Sequence, residues 1–167
     1  MYIILPIAGI LLLAFIFIKI FLPIIQKKKI IKDLESFSKN NQLNVQPSSN
    51  KSAYDLAITN RQMTFLVKIV IIPSFSEIQI NNVSTWEVKY GAGEKAGKVQ
   101  PHKRYLTEII PLMKYEAKPT EQKVFIFSPS PKKVVKYINE NEIDFVTSTS
   151  NVYGARIIGE GKYQIFK

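Results

Sequence analysis

The feature that most constrains this chain is its opening apolar run. Residues 2–18 (YIILPIAGILLLAFIFI) carry no charge, Lys19 interrupts, and IFLPII continues the run to Ile25. A helix crossing the hydrocarbon of a bilayer needs about 20 predominantly apolar residues, so residues 1–25 are long enough to be a transmembrane anchor. Lys19 lies near the end of the run, where a long stem stays in hydrocarbon while its ammonium reaches the headgroups. A secretory signal peptide would carry positive charge ahead of its apolar stretch and small residues at a cleavage site. Nothing before Lys19 is charged, and Pro23-Ile24-Ile25-Gln26 is a poor cleavage context. Lys27, Lys28, Lys29 and Lys32 flank only the C-terminal end. The positive-inside tendency therefore predicts a single-pass membrane protein with its N-terminus outside and its C-terminal domain in the cytoplasm.

The rest of the chain is the size of one domain. It divides into a basic juxtamembrane segment with a helix and linker (26–51) and an α/β domain (52–167). The run holds one of the 23 Lys and Arg and none of the 13 Asp and Glu, so the remainder carries a net charge of +9. Such a balance points to an anionic neighbour, nucleic acid or the anionic lipid of the inner leaflet. A lysine-rich surface also serves solubility alone, and a protein partner fits equally. The absence of cysteine rules out a disulfide framework and a Cys-based zinc site. With His102 the one histidine, zinc catalysis is disfavoured.

Ile30, Ile31, Leu34 and Phe37 recur on one face of a helix that Asn40-Asn41 stops. Residues 46–51 have loop composition. Strands are predicted at 53–59, 64–72, 75–80 and 85–90, the last two a hairpin about Asn81-Asn82-Val83-Ser84. Alternation puts Phe65, Val67, Ile69, Ile71, Ile78, Ile80, Trp86, Val88 and Tyr90 on a core face. Lys68, Glu77, Gln79, Thr85, Glu87 and Lys89 fall on the polar one.

Residues 91–98 (GAGEKAGK) form a basic glycine-rich loop. Its glycines miss the dinucleotide-binding spacing, and Val99 after Gly97-Lys98 excludes a Walker A loop. Pro101 suits the first position of a helix with Tyr105, Leu106, Ile109 and Ile110 as its stripe, ended by Pro111. Val124 to Phe127 reads as a central strand covered on both faces. Ser130-Pro131 reads as the cap of a helix burying Val134, Val135 and Ile138. A parallel strand at 144–147, reached by a right-handed crossover, and a last strand or hairpin within 154–167 complete the pattern. The expected fold is α/β, one mixed sheet with flanking helices behind the transmembrane helix.

Glu87-Val88-Lys89 on the last meander strand, Gln100 just beyond the basic loop, and the order helix, meander, helix, strand together resemble the PD-(D/E)xK nuclease superfamily, across roughly residues 30–147. The resemblance implies a restriction-endonuclease-like fold and Mg-dependent phosphodiester hydrolysis. Glu77 and Glu87 would be the metal ligands, and Lys89, Gln100 and His102 the catalytic residues. A hairpin turning about Asn82 would set Glu77 opposite Glu87. Two opposed carboxylates repel unless a cation sits between them, and magnesium takes oxygen ligands. Lys89, two residues on, would return to the same face and steady the attacking water or the phosphorane. Lys95, Lys98, Lys103 and Arg104 would bind the nucleic acid, the last two near a helix N-terminus that favours phosphate. The sequence departs from the family pattern in having Glu77 after Ser76 where Asp after Pro is usual. Asp55 offers a second upstream acid, followed by Leu66-Val67-Lys68, where an acid would be needed at Leu66; under that alignment the site is degenerate. Two functions follow: a membrane-anchored cytoplasmic nuclease, or a non-catalytic membrane-tethered module holding nucleic acid, anionic lipid or a protein partner.

Overall fold

A computed structural model of the chain describes residues 15, 17–48, 53–91, 101–139 and 141–167. A π-helical turn, Phe17–Phe21, leads into helix α1, Leu22–Asn40. Five strands follow: β1 (Asn44–Pro47), β2 (Leu56–Thr59), β3 (Thr64–Ile71), β4 (Glu77–Ile80) and β5 (Trp86–Tyr90). Then come β6 (His102–Tyr105), a 3-10 turn (Thr107–Ile109) running into α2 (Ile110–Lys114), and β7 (Glu121–Ser128). The chain ends with β8 (Lys133–Asn139), β9 (Glu142–Phe145), β10 (Ala155–Gly159) and a 3-10 turn at Tyr163–Phe166.

The strands form two mixed sheets rather than the single one expected. The first runs β1-β2-β3-β7-β10 and the second β6-β5-β4-β8-β9. Each sheet has parallel pairs: β3 with β7 and β7 with the edge strand β10 in the first, β4 with β8 at the centre of the second. One core lies between the sheets, where Leu66, Val70, Phe125 and Phe127 meet Ile78, Ile80, Trp86 and Val88. Trp86 and Phe125 are both buried, as the alternation predicts, with their rings edge-to-face at 5.2 Å. A second core lies on the far face of the first sheet. There Ile30 and Leu34 of α1, with Tyr163 and Phe166, cover Phe65, Val67, Ile69, Val124 and Ile126. Strand β3 is thus buried on both faces, and Lys68 falls inside the molecule instead of on a polar face. Each such aliphatic or aromatic side chain contributes about 1.5–3 kcal/mol of transfer free energy when fully buried. Among the described residues the two clustered cores lie on the inner face of the second sheet and the far face of the first, and the second sheet's outer face carries partly exposed Gln79, Glu87 and Lys89 beside a buried Val135 (3% exposed).

Three expected elements change type or partner. The helix expected from Pro101 is strand β6, and helicity begins only at Thr107. The helix expected after Ser130-Pro131 is strand β8, paired parallel to β4. The 144–147 strand is β9 and pairs antiparallel with β8, while the added parallel neighbour of β7 is β10. A nuclease-type core with one sheet and a helix after the meander is not what these residues form.

The transmembrane expectation is also corrected. Residues 1–14, the greater part of the anchor, lie outside the described residues, and among those described no helix is long and apolar enough to cross a membrane. The run's C-terminal end opens α1, whose next turns carry Lys27, Lys28, Lys29, Lys32, Asp33 and Glu35 and whose Ile30 and Leu34 pack on the first sheet. Charges at this spacing make an amphipathic domain helix, so a single-pass membrane location with a cytoplasmic C-terminal domain is unsupported.

Candidate nucleic-acid interface

The hairpin β4–β5 fixes the register of everything on the open face. Asn82 Oδ1 accepts hydrogen bonds from the backbone N–H groups of Ser84 (2.9 Å) and Thr85 (2.8 Å), an Asx turn. Asn81 N–H closes the loop onto Thr85 O at 3.0 Å, and Ile80 stands opposite Trp86. The turn therefore centres on Val83, one residue later than expected, and a one-residue move of the centre shifts the pairing by two. Glu77 faces Lys89, and Gln79 faces Glu87.

With Ile78, Ile80, Trp86 and Val88 turned inward, the alternate residues point outward. Reading across the sheet, Lys103 of β6 stands opposite Lys89, Lys89 opposite Glu77, and Glu77 opposite Lys133 of β8. The next row holds Tyr105, Glu87, Gln79, Val135 and Phe145. Three lysines thus line one row with a single glutamate among them. Glu77 Oε2 lies 3.2 Å from Lys133 Nζ. At the two edges Tyr105 is 62% and Phe145 61% exposed, with Ile143 beside Phe145 at 47%. Strands about 4.8 Å apart make the face roughly 19 Å wide from β6 to β9.

The predicted residues divide accordingly. Glu77, Glu87, Lys89 and Lys103 share this face. Arg104, one residue on, turns to the inner side, where Nη1 binds Glu108 Oε1 at 2.9 Å and Nη2 donates to Ile71 O at 3.4 Å. His102 also turns inward, its ring 5.6 Å from that of Tyr90 opposite. Lys95, Lys98 and Gln100 lie outside the described residues. Neither Arg104 nor His102 stands at a helix N-terminus, because the segment is a strand. Tyr105 and Lys133 escaped the sequence reading because 101–105 and 133–139 read as helices, and Phe145 because its strand was expected beside 124–127 and pairs instead with β8. The β-branched run Val134-Val135 was the available signal for β8.

A shared magnesium at Glu77 and Glu87 does not fit. The two are diagonal on the sheet, a relation of about 7–8 Å, and Glu77 is engaged by Lys133 and faced by Lys89. Glu87 Oε1 accepts from Asn81 Nδ2 at 3.4 Å. Among the described residues no group of three or more His, Asp or Glu side chains converges as a metal site. The alternative acid behaves differently. Asp55 is brought to Lys68, with Oδ1 at 3.8 Å from its Nζ and 2.7 Å from Lys27 Nζ, while Oδ2 accepts the Ile69 N–H at 2.8 Å. Its oxygens are satisfied by protein cations and backbone. Leu66, where the motif needs an acid, is 1% exposed in the core between the sheets.

Elsewhere, burial shifts three groups. It lowers the Lys123 ammonium, whose Nζ donates to Met113 O at 2.9 Å, and raises the phenols of Tyr163 and Tyr115. None lies on the open face. Comparison with protein-family models, curated proteins and solved structures finds no match for this chain.

Proposed function

We propose that this chain is a non-catalytic module that binds single-stranded nucleic acid across the open face of its second sheet. The observation that carries the reading is the row Lys103, Lys89 and Lys133 set beside the exposed rings of Tyr105 and Phe145. Strands of nucleic acid are held by a cationic track for phosphates together with aromatic surfaces on which bases stack, and this combination tolerates any sequence. Among the described residues this face presents side chains from five adjacent strands and no helix to enter the major groove of a duplex, which favours the single strand. The net charge of +10 supplies the long-range attraction. The metal-dependent cleavage that the nuclease resemblance implies draws no support from the ligand geometry at Glu77, Glu87 or Asp55.

The test is fluorescence anisotropy with labelled single-stranded and duplex oligonucleotides over a salt series. Three phosphate contacts predict a slope of log K against log salt of about −2 for a single strand. Tyr105→Ala and Phe145→Ala should each weaken binding by roughly 5- to 150-fold, the loss of one stacked base, with little change in melting temperature because both rings are exposed. Lys89→Glu with Lys103→Glu should flatten the salt dependence. Binding that ignores salt and all four substitutions would remove this face from consideration.

A further inference from the structure

The chain passes from the first sheet to the second between β3 and β4, and both ends of this link are tied. Ile72 N–H donates to Ser128 O at 2.8 Å on the first sheet, and Ser76 O accepts the Lys132 N–H at 2.8 Å just before β8. Ser76 is fully buried and its hydroxyl donates to Pro73 O, whose own residue has its φ fixed by the ring. Phe75, held between these anchors, takes φ +58°. A bulky side chain adopts that region only where the surroundings impose it, a strain that asparagine feels less. The fold recovers nothing from the ring. At 79% it is the most exposed large apolar side chain among the described residues, and it packs against neither core. Two other described residues besides glycine have positive φ, Gln42 and Tyr153. Gln42 is polar, and the Tyr153 ring is covered by Lys136 Nζ at 4.5 Å from its centroid.

We propose that Phe75 is a third base-stacking position of the nucleic-acid face, across the lysine row from Tyr105 and Phe145. This rests on the single-strand reading above and deepens it. Two residues of chain span at most about 7 Å, so the Phe75 backbone lies beside that of Glu77, within the row Lys103, Lys89, Glu77 and Lys133. Tyr105 and Phe145 belong to the next row, with Gln79 at its middle. Along β4 the order is Phe75, Glu77, Gln79, so the lysine row lies between Phe75 and the other two rings. A phosphate backbone laid along the lysines would have an aromatic surface on either side. Stacking asks only for an exposed π-face and accepts any base. The immediate neighbours Ser74, Ser76 and Glu77 are polar, so a lone ring in this setting fits a base better than a lipid tail.

The experiment uses the full chain and a labelled single-stranded oligonucleotide, with anisotropy and melting temperature read for each variant. Phe75→Leu keeps an apolar side chain without a π-face and should weaken binding by roughly 5- to 150-fold, the loss of one stacked base. Phe75→Tyr should bind as the wild type does. Phe75→Asn should weaken binding yet raise the melting temperature by about 2–4 °C, because asparagine tolerates the positive φ. These opposite signs separate a ring that binds from a ring that supports the fold. Phe75→Trp adds an exposed indole to the buried Trp86, and its fluorescence should be quenched when the strand binds. A wild type that binds no strand overturns both this assignment and the single-strand reading. Binding lost in Tyr105→Ala but kept in Phe75→Leu overturns the Phe75 assignment alone. So does a lowered melting temperature in Phe75→Asn, or equal weakening in Phe75→Leu and Phe75→Tyr. Phe75→Trp emission that shifts with phosphatidylcholine vesicles and ignores the strand assigns the ring to lipid and overturns it as well.

Discussion

Glu77 stands opposite Lys89 on β5 and holds Lys133 of β8 at 3.2 Å, so one carboxylate interrupts a row of three lysines. This relationship replaces the pair of facing acids that the hairpin suggested, and it turns a metal-site candidate into a regulator of local charge.

Glu77→Gln should therefore raise nucleic-acid affinity. The exposed bridge to Lys133 contributes at most about 1 kcal/mol to stability, so the melting temperature should hardly move. Releasing Lys133 to a phosphate should steepen the salt slope by about 0.7. Anisotropy titrations at several salt concentrations measure both. An unchanged or weaker affinity would mean that this row does not contact the strand.

How far the sequence went is visible strand by strand. Alternation located β3, β4 and β5 and buried Trp86, and the unbroken apolar run found β7. What misled was local ambiguity. Val134, Val135 and Ile138 satisfy a helical spacing and a strand composition equally, and Pro101 suits either a helix start or the first residue before a strand. The two-sheet arrangement depends on β4 pairing with β8, a contact between segments far apart in the chain that no local period encodes. The site suffered for the same reason, since Lys133 and Phe145 reach the open face only through that pairing. Within the hairpin, the hydrogen bonds of one side chain, Asn82, moved Glu77 away from Glu87.

Asp55 should be a structural anchor. Its side chain and that of Lys68 are 9% and 10% exposed, and breaking a buried ion pair of this kind costs up to about 3–5 kcal/mol. Asp55→Asn is expected to lower stability toward the smaller end of that range, because the amide oxygen still accepts the Ile69 N–H. Leu66→Glu, which would write the missing acid of the nuclease motif, should unfold the chain rather than create activity, because it places a carboxylate in the core between the sheets. Urea denaturation of both variants measures this. A stable Leu66→Glu protein that binds a divalent cation would overturn the account.

Lys123 predicts an alkaline signature. Burial lowers its folded-state pKa below the ordinary 10.5, so the folded protein releases this proton before the unfolded chain does. In the window just below 10.5 the unfolded state holds more protons, and stability from this group rises with pH. Tyr163 and Tyr115 act oppositely, since raised phenols keep their protons in the folded state and lose stability above about 10. Comparing wild type with Lys123→Met cancels the tyrosines. The stability of the variant relative to wild type should be flat near neutrality and fall as pH climbs toward 10.5, read from urea melts at fixed ionic strength. A difference independent of pH throughout would contradict the burial of this ammonium.

Gly159 tests whether β10 and the segment before β8 press on each other through a close backbone approach. A methyl at this position would collide with Ser130 Oγ, lie 2.8 Å from Ser130 Cβ and reach its Cα at 3.4 Å. The hydroxyl can rotate away, but the Cβ moves only with the backbone that carries Lys132 and Lys133. Gly159→Ala should therefore cost about 1–3 kcal/mol, the range for overpacking. Ser130→Gly removes both colliding atoms and leaves only ordinary contact with the Cα. The double variant should recover much of the stability lost in Gly159→Ala, giving a coupling energy of opposite sign to the single losses in a double-mutant cycle. Additive losses would show that Gly159 and Ser130 do not press on each other.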